Sequence, residues 1–400
     1  DAATASASDA GTEGQTARAA EIRCEHSPEL PGLLQRLGVS LLISTYQAGK
    51  VIVVRGDGEK IDFQLKDADK PMGIAAMEGL LAVGVAGEIR LYGDIKENCR
   101  KVQPPADYDA CFVERINHLT GGIDIHEMAF GSDRRLWFIN TRFCALCTLD
   151  QTTSFVPVWR PPYVSSYAPE DRCHLNGLGM FNGRPRFVTA LGESDKPAGW
   201  RERKADGGVL IDLSTGKTLC RGLSMPHSPR WYADQLWICE SGQGTLAKVE
   251  TKAGTVKTIY EFPGFTRGLD FYDRYAFVGL SQIRETTTFG GLPIAEKVKE
   301  RNCGVWIVDI VTGELAGVVF FTQGVQEIFA VQVLPGIRYP EILNKKDPLA
   351  LETYILPPEV LPEVRETPRS PAAATDSQRP DQGDRATVQD APETTSRGSA

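Results

Sequence analysis

The sequence predicts an all-β fold, a six-bladed β-propeller, from three observations: short strand-like runs, an internal repeat, and strands at the two ends of the body that complete each other. Runs rich in Val, Ile, Leu, Phe and Trp recur at 50–55, 80–85, 136–139, 186–190, 236–239, 275–280 and 305–310, broken by Gly, Asp-Gly or Asn-Gly. Short apolar runs with turn chemistry between them read as strands, and helical periodicity is scarce. One short helix is expected near 31–37, ahead of the first strand.

The repeat decides the architecture. Met72-Gly-Ile-Ala-Ala is followed, after a tight turn, by Leu80-Leu-Ala-Val. The same unit returns as His126-Glu-Met-Ala-Phe with Leu136-Trp-Phe-Ile, and as Asn176-Gly-Leu-Gly-Met with Arg186-Phe-Val-Thr. It returns again at His227 with Leu236, at Arg267 with Ala276 and, more weakly, at Gln326 with Val331. Successive copies start 54, 50, 51, 40 and 59 residues apart, by subtraction of their first positions. One small antiparallel sheet per ~40–50 residues is the propeller period. The sixth copy runs out of strands near Leu343, and the runs at 41–54 and 60–64 supply what it lacks. Sharing one blade between the chain ends closes the ring and leaves few open sheet edges. Six blades are read; a seventh fits only if the stretch 281–303 hides a degenerate copy.

The domain layout follows from composition. Residues 1–23 are mostly Ala, Ser, Thr, Gly and Asp, and the chain beyond about 365 is rich in Pro, Ser, Thr and Asp. Neither can bury enough apolar surface to offset the entropy of ordering, so both are expected to be disordered tails around a propeller at 24–345. The segment 345–364 is expected to lie along the domain surface. A net charge of -8 argues against a nucleic-acid groove, which needs a basic patch. No apolar run approaches the ~20 residues of a membrane helix. The first 20 residues have neither a basic start nor an apolar stretch, so no signal peptide is expected. Nine scattered cysteines suit a reducing interior, so a cytoplasmic location is expected; the chain is also expected to be a monomer. Cys144-Ala-Leu-Cys147 lacks a second CxxC, so buried thiols are the better reading than a zinc knuckle or redox motif.

In a propeller the first residue of each repeat stands beside the axis, and the far end of the returning strand reaches the same face. The lead positions are Met72, His126, Asn176, His227, Arg267 and Gln326; the return positions include Asn140, Arg142, Glu193, Glu240, Ser281 and Arg284. Of five histidines, His126 and His227 share the lead position, and His174 precedes Asn176 by two, which on a strand means the same face. His126, His174 and His227 from consecutive blades resemble a ligand set for a divalent metal, with Glu127, Glu240 and Glu327 near. Imidazole and carboxylate suit zinc, iron, manganese or copper alike. The bland alternative is that such polar residues hydrogen-bond loops and hold blades in register. Arg267 is expected either to bind an anionic group or to pair with a channel carboxylate such as Glu327. Phosphate loops and a nucleophile elbow are absent.

Longer motifs add a resemblance. Ser44-Thr-Tyr-Gln-Ala-Gly-Lys50, Asp124-Ile-His-Glu-Met128, Trp137-Phe-Ile-Asn-Thr-Arg142 and Trp159-Arg-Pro-Pro162 are four of them. Ala168-Pro-Glu-Asp-Arg-Cys-His-Leu-Asn-Gly-Leu178, Met225-Pro-His-Ser-Pro-Arg230 and Gly324-Val-Gln-Glu-Ile328 are the others. Together they resemble a widespread family of conserved hypothetical proteins, catalogued as a domain of unknown function, over about 33–343. The resemblance implies a propeller-like fold and brings no activity, cofactor or ligand. Where relatives tend to read Asn-Ser-Gly, this chain has Cys239-Glu240-Ser241.

Two functions from different classes are therefore expected. One is a metal-dependent hydrolase or lyase acting on a small polar or carbohydrate-like substrate in the axial mouth. In it His126, His174 and His227 hold the metal, and Arg267, Arg142, Asn176, Glu193 and Arg284 bind substrate. Glu327 and Glu240 supply catalytic carboxylates. The other is a non-catalytic scaffold that binds a protein, peptide or glycan through loops on the same face.

Overall fold

The computed structural model of the chain describes residues 21–282 and 291–364, together with a strand at 387–390. Strand β1 (Arg23–His26) leads into helix α1 (Leu30–Leu37), which buries Leu30, Leu33 and Leu34 and ends on left-handed Gly38. Strands β2 (Val39–Ser44), β3 (Lys50–Gly56) and β4 (Ile61–Asp67) follow and form three-quarters of the first blade. The second blade is β5 (Ile74–Met77), β6 (Leu80–Val85), β7 (Glu88–Asp94) and β8 (Ala110–Leu119). The third is β9 (Ile125–Phe130), β10 (Leu136–Asn140), β11 (Ala145–Thr148) and β12 (Val156–Trp159). The fourth is β13 (Leu175–Phe181), β14 (Arg184–Ala190), β15 (Gly208–Asp212) and β16 (Lys217–Leu223). The fifth is β17 (Pro226–Tyr232), β18 (Gln235–Glu240), β19 (Thr245–Glu250) and β20 (Thr255–Glu261). The sixth is β21 (Phe265–Tyr272), β22 (Tyr275–Ser281), β23 (Gly304–Asp309) and β24 (Leu315–Gln323).

The ring closes as its two chain ends require. Strand β25 (Ala330–Pro335) pairs antiparallel with β2 and becomes the innermost strand of the first blade. Strand β1 adds to the outer edge of the sixth blade, through Cys24 opposite Phe321. Strand β26 (Pro340–Leu343) adds in parallel to the outer edge of the second, and β27 (Thr387–Asp390) runs parallel to β1. The six innermost strands, β25, β5, β9, β13, β17 and β21, touch one another in ring order. No seventh blade interrupts them: among the described residues of 281–303 there is a short helix, α2 (Pro293–Lys297), and no strand beyond Ser281.

Turn chemistry and core packing explain why these residues hold this form. The β13–β14 turn places both Asn182 (φ 49°) and Gly183 (φ 68°) in the left-handed region, the turn whose twist suits a two-residue hairpin. Middle strands are buried on both faces, because each blade packs against the next. Trp237 and Leu246 of the fifth blade meet Leu269, Val278 and Trp306 of the sixth in one such layer. Past β26, helix α3 (Pro348–Leu351) leads to Thr353, anchored by the Asn98 amide at 2.7 Å and by Arg115. From Lys345 to Thr353 the chain therefore runs along the second blade, whereas Tyr354, Ile355 and Leu361 beyond it are exposed.

Candidate functional site

A cavity of about 240 Å³ opens at the axial mouth where the innermost strands begin. The third, fourth and fifth blades contribute His126 with Asp124, His174 with Asp171, and His227 with Met225. Arg267 and Phe265 come from the sixth, while Glu327 and Phe329 come from the segment that leads into β25. Tyr46 and Met72 complete one wall, and Leu191, Trp200 and Arg201 the other.

Two backbone devices aim these side chains inward. The first is a one-residue bulge. On β9 the span 125–128 faces only 138–140 of β10, on β13 175–177 faces 189–190, on β17 227–230 faces 237–239, and on β21 266–269 faces 278–280. A bulge re-aims the side chain it carries, and here it recurs at the site end of four consecutive blades. Gly268 makes the last one feasible: its φ is 81°, and a Cβ there would stand 2.8 Å from the Val331 nitrogen. The second device is left-handed backbone. Tyr46, Asp124, Asp171, His174 and Met225 all have φ between 40° and 52°, and all five line the cavity. Non-glycine residues resist that conformation, which persists where surrounding structure over-determines it and which gathers at functional sites.

Each of the three histidines is held by Nδ1. His126 Nδ1 lies 3.1 Å from the Asp124 carbonyl and 2.8 Å from Thr141 Oγ1, whose hydroxyl donates to the Leu175 carbonyl. His227 Nδ1 lies 3.0 Å from the Met225 carbonyl and 2.9 Å from Ser241 Oγ. His174 Nδ1 lies 2.9 and 3.0 Å from the two Asp171 carboxylate oxygens, and Trp200 Nε1 donates to the same carboxylate at 2.9 Å. Carbonyl and carboxylate partners accept, so the proton sits on Nδ1 and the Nε2 lone pair is left for other work. Burial, and next to it the Arg267 charge, hold His126 and His227 well below the usual imidazole range. Both rings are neutral near pH 7.

Arg267 donates through Nη1 to Glu327 Oε1 at 3.2 Å, and its guanidinium lies 3.5 Å over the Phe329 ring. Burial is the main force lowering its pKa. One layer deeper the channel is plugged. Glu127 accepts from Arg230 at 3.1 and 3.3 Å and from the Leu178 amide, while Asp270 accepts from the Val333 amide and Gln332. Glu127 thus ties three blades together and stands away from the cavity lining.

The expected site residues divide accordingly. His126, His174, His227, Arg267 and Glu327 come together. Asn176 does not join them: it sits on the β13 bulge, donates to the Pro226 carbonyl at 3.0 Å and accepts from Thr189 at 2.6 Å. The expectation that His174 and Asn176 share a face is corrected. His174 precedes β13 in left-handed backbone, and the bulge breaks the alternation between them. Arg142 is exposed, with Nη1 3.5 Å from the Gly122 carbonyl. Glu193 is bound to Arg221 and Thr218 at the blade edge. Glu240 accepts from the Ser224 amide, where burial pushes its carboxyl pKa up. None of these three lines the cavity. Arg284 lies outside the described residues. Among the described residues, no group of three His, Cys, Asp or Glu side chains is placed to hold a metal ion. His126 and His174 meet edge to face, with centroids 4.8 Å apart and planes at 88°. Cys144 and Cys147 are buried and free.

Asp171, Asp124, Tyr46 and Trp200 were not read from the repeat, because none occupies a lead or return position. A signal for the first three existed in the motifs. Five of the seven motifs quoted above each place a residue in the cavity: Tyr46, Asp124 and His126, Asp171 and His174, Met225 and His227, and Glu327. A sixth supplies Thr141 to His126.

That convergence agrees with a family match over residues 28–343, whose description is a domain of unknown function, DUF4915. The chain belongs to the DUF4915 family. No curated protein matches this DUF4915 sequence. Its structure is similar to one solved in a nidogen/laminin complex, with TM-score 0.47, 10% identity and coverage of 75% of this chain and 99% of that one. A protein of unknown function from Bacteroides caccae gives 0.43 and 10%, covering 74% and 98%. Virginiamycin B lyase from Staphylococcus aureus gives 0.35 and 12%, covering 70% and 79%. Among the described residues of this DUF4915 chain, no helix is long and apolar enough to cross a membrane.

Proposed function

We propose that the axial pocket is an acid–base catalytic site, of the hydrolase or lyase type, for a small polar substrate. The observation that supports it is the shared arrangement of the three histidines: each is tied through Nδ1 and lines one cavity whose walls include five residues in left-handed backbone. Among them His174 is the one tied to an acidic side chain. Its dyad with Asp171 fixes the tautomer and stabilises the imidazolium formed when Nε2 takes a proton, which is what a general base requires. The proton leaves water or a substrate carbon and returns to the departing group, so no outside oxidant or reductant is needed. Neutral His126 and His227 offer further Nε2 acceptors to hydroxyls, and Glu327, held by Arg267, brings a carboxylate to the same cavity.

A second reading adds a divalent ion on Nε2 of His126, His174 and His227. The same Nδ1 ties favour it, since metal-bound histidines are oriented in this way. It requires three nitrogens to reach ~2.0–2.1 Å from one centre, and among the described residues no such group is already gathered.

The test is a screen of chromogenic esters, lactones and unsaturable uronides with the parent and the His174→Asn and Asp171→Asn variants, beside metal analysis of the parent. Turnover that both variants lose, while their unfolding curves stay cooperative, supports the dyad. Turnover unaffected by either overturns it. Stoichiometric metal lost in a folded His126→Ala/His227→Ala variant favours the second reading.

A further inference from the structure

Arg267 carries more donor capacity than the protein uses. Its side chain is 11% exposed, yet among the described residues the Nη1 bond to Glu327 is its one hydrogen bond. At 3.2 Å that bond is long for a charge-assisted pair, and it occupies one of five N–H groups. Phe329 covers one face of the guanidinium plane, at 3.5 Å, so the remaining N–H groups radiate along its edge. Arg267 itself lines the cavity. A buried guanidinium is costly unless its donors are met, and a planar two-oxygen acceptor meets two of them at once.

The rest of the wall describes what such an acceptor is attached to. Met72, Leu191, Met225 and Phe265 present apolar surface, and Trp200 and Tyr46 present ring faces or edges to the same space. A volume of about 240 Å³ suits one ring with a few substituents. The imidazole of His174, packed on Trp200 with centroids 4.6 Å apart, lines the same cavity from the fourth blade, two blades from Arg267.

Resting on the acid–base reading above, we propose that the substrate is a small carboxylic acid with a ring-sized body, anchored by a two-pronged bond from its carboxylate to Arg267. The carboxylate sets the orientation, the apolar wall receives the ring, and His174 Nε2 meets the atom that loses a proton. Glu327 holds the guanidinium in place in the absence of the acid and gives way, or shares the fork, when the acid binds.

The experiment compares matched acids and neutral isosteres against the full chain by ligand-observed NMR and calorimetry: benzoate with benzamide, and glucuronate with glucose, with inorganic phosphate as competitor. At least one acid is expected to bind ten-fold or more tightly than its neutral counterpart, and phosphate is expected not to displace it at equal concentration. Arg267→Lys keeps the charge but loses the fork, and should weaken that acid at least five-fold. An Arg267→Gln/Glu327→Gln variant removes the fork without stranding a carboxylate, and should abolish the preference. The parent's acid-to-amide ratio decides the matter even if neither variant folds. Equal binding of acids and isosteres, or displacement by phosphate at equal concentration, overturns the carboxylate assignment. It leaves the acid–base reading standing if Asp171→Asn still abolishes turnover of a neutral ester. Conversely, acid selectivity in a protein whose turnover ignores Asp171 and His174 keeps the anchor and removes the dyad.

Discussion

Asp171 and His174, three residues apart, form a closed pair in which both carboxylate oxygens lie within 3.0 Å of Nδ1 and both residues hold left-handed backbone. The segment between them is fastened from outside. Arg172 bridges Glu170 and Asp195, each at 2.7 Å; the Trp200 amide reaches the Arg172 carbonyl, and the Trp200 indole reaches Asp171. Strain of order 1–3 kcal/mol per residue is sustained only by this kind of external support. Four predictions follow from the geometry around this pair.

Asp171→Asn should unsettle the His174 tautomer without unfolding the blade. Asparagine can accept from Nδ1–H or donate to an unprotonated Nδ1, so both tautomers become populated. Long-range ¹H–¹⁵N spectra of His174 at pH 7.5 should show one Nδ1–H tautomer in the parent and a mixture in the variant. With a turned-over substrate in hand, kcat/KM should fall by about 10–100-fold or more, the usual effect of losing an orienting partner. A single unchanged tautomer would refute the orienting role.

Stability should drop on mild acidification because His126 and His227 are held neutral. Their folded pKa values lie below the unfolded value near 6.5. As pH falls through about 6.5 the unfolded chain takes up protons that the folded state refuses, so unfolding gains. The loss is absent above that pH and has a limiting slope of about 2.7 kcal/mol per pH unit for two sites. Urea unfolding at pH 7.5 and 5.5 should show it, and a His126→Gln/His227→Gln variant should have a flatter profile. Equal slopes in the two proteins would rule these histidines out as the cause.

Asp124→Gly should trade function for stability. At φ 52° the aspartate pays a conformational cost that glycine does not. Its carbonyl still reaches His126 Nδ1, and its side chain lines the cavity. A gain of about 0.5–1 kcal/mol in denaturant unfolding is expected, with weaker ligand binding. A clear loss of stability would show that the carboxylate holds the fold.

Asn176→Ala should behave as a scaffold mutation. It strands the Pro226 carbonyl and removes the acceptor of the Thr189 hydroxyl, both buried, at a cost of about 1–3 kcal/mol. Ligand affinity of the folded fraction should stay within about two-fold, which calorimetry beside urea unfolding would check. A selective loss of affinity at parental stability would return Asn176 to the site.

Much of the fold was legible because propeller strands are local. Apolar runs, the Asn182-Gly183 turn and the spacing of the copies at 72, 126, 176, 227, 267 and 326 depend on neighbours in sequence. The shared first blade follows from counting strands, since a ring of antiparallel sheets leaves β25 without companions unless β2–β4 join it. The site was legible only in part. His126, His227 and Arg267 are lead residues of the repeat, and His174 was reached as a near neighbour. Asn176, Glu193 and Glu240 satisfied the same positional rule yet turn to blade partners.

The sequence by itself therefore determined the blade count, the closure and the face on which polar residues gather, all consequences of period and of short-range turn preference. Tertiary structure alone decided which of those residues share the cavity. One bulge reverses strand parity at Asn176, and left-handed backbone at Asp171 and His174 is paid for by contacts from Trp200, Asp195 and the neighbouring blade. Such conformations are disfavoured locally, so no window of sequence predicts them. They exist because the closed ring holds each loop against the next.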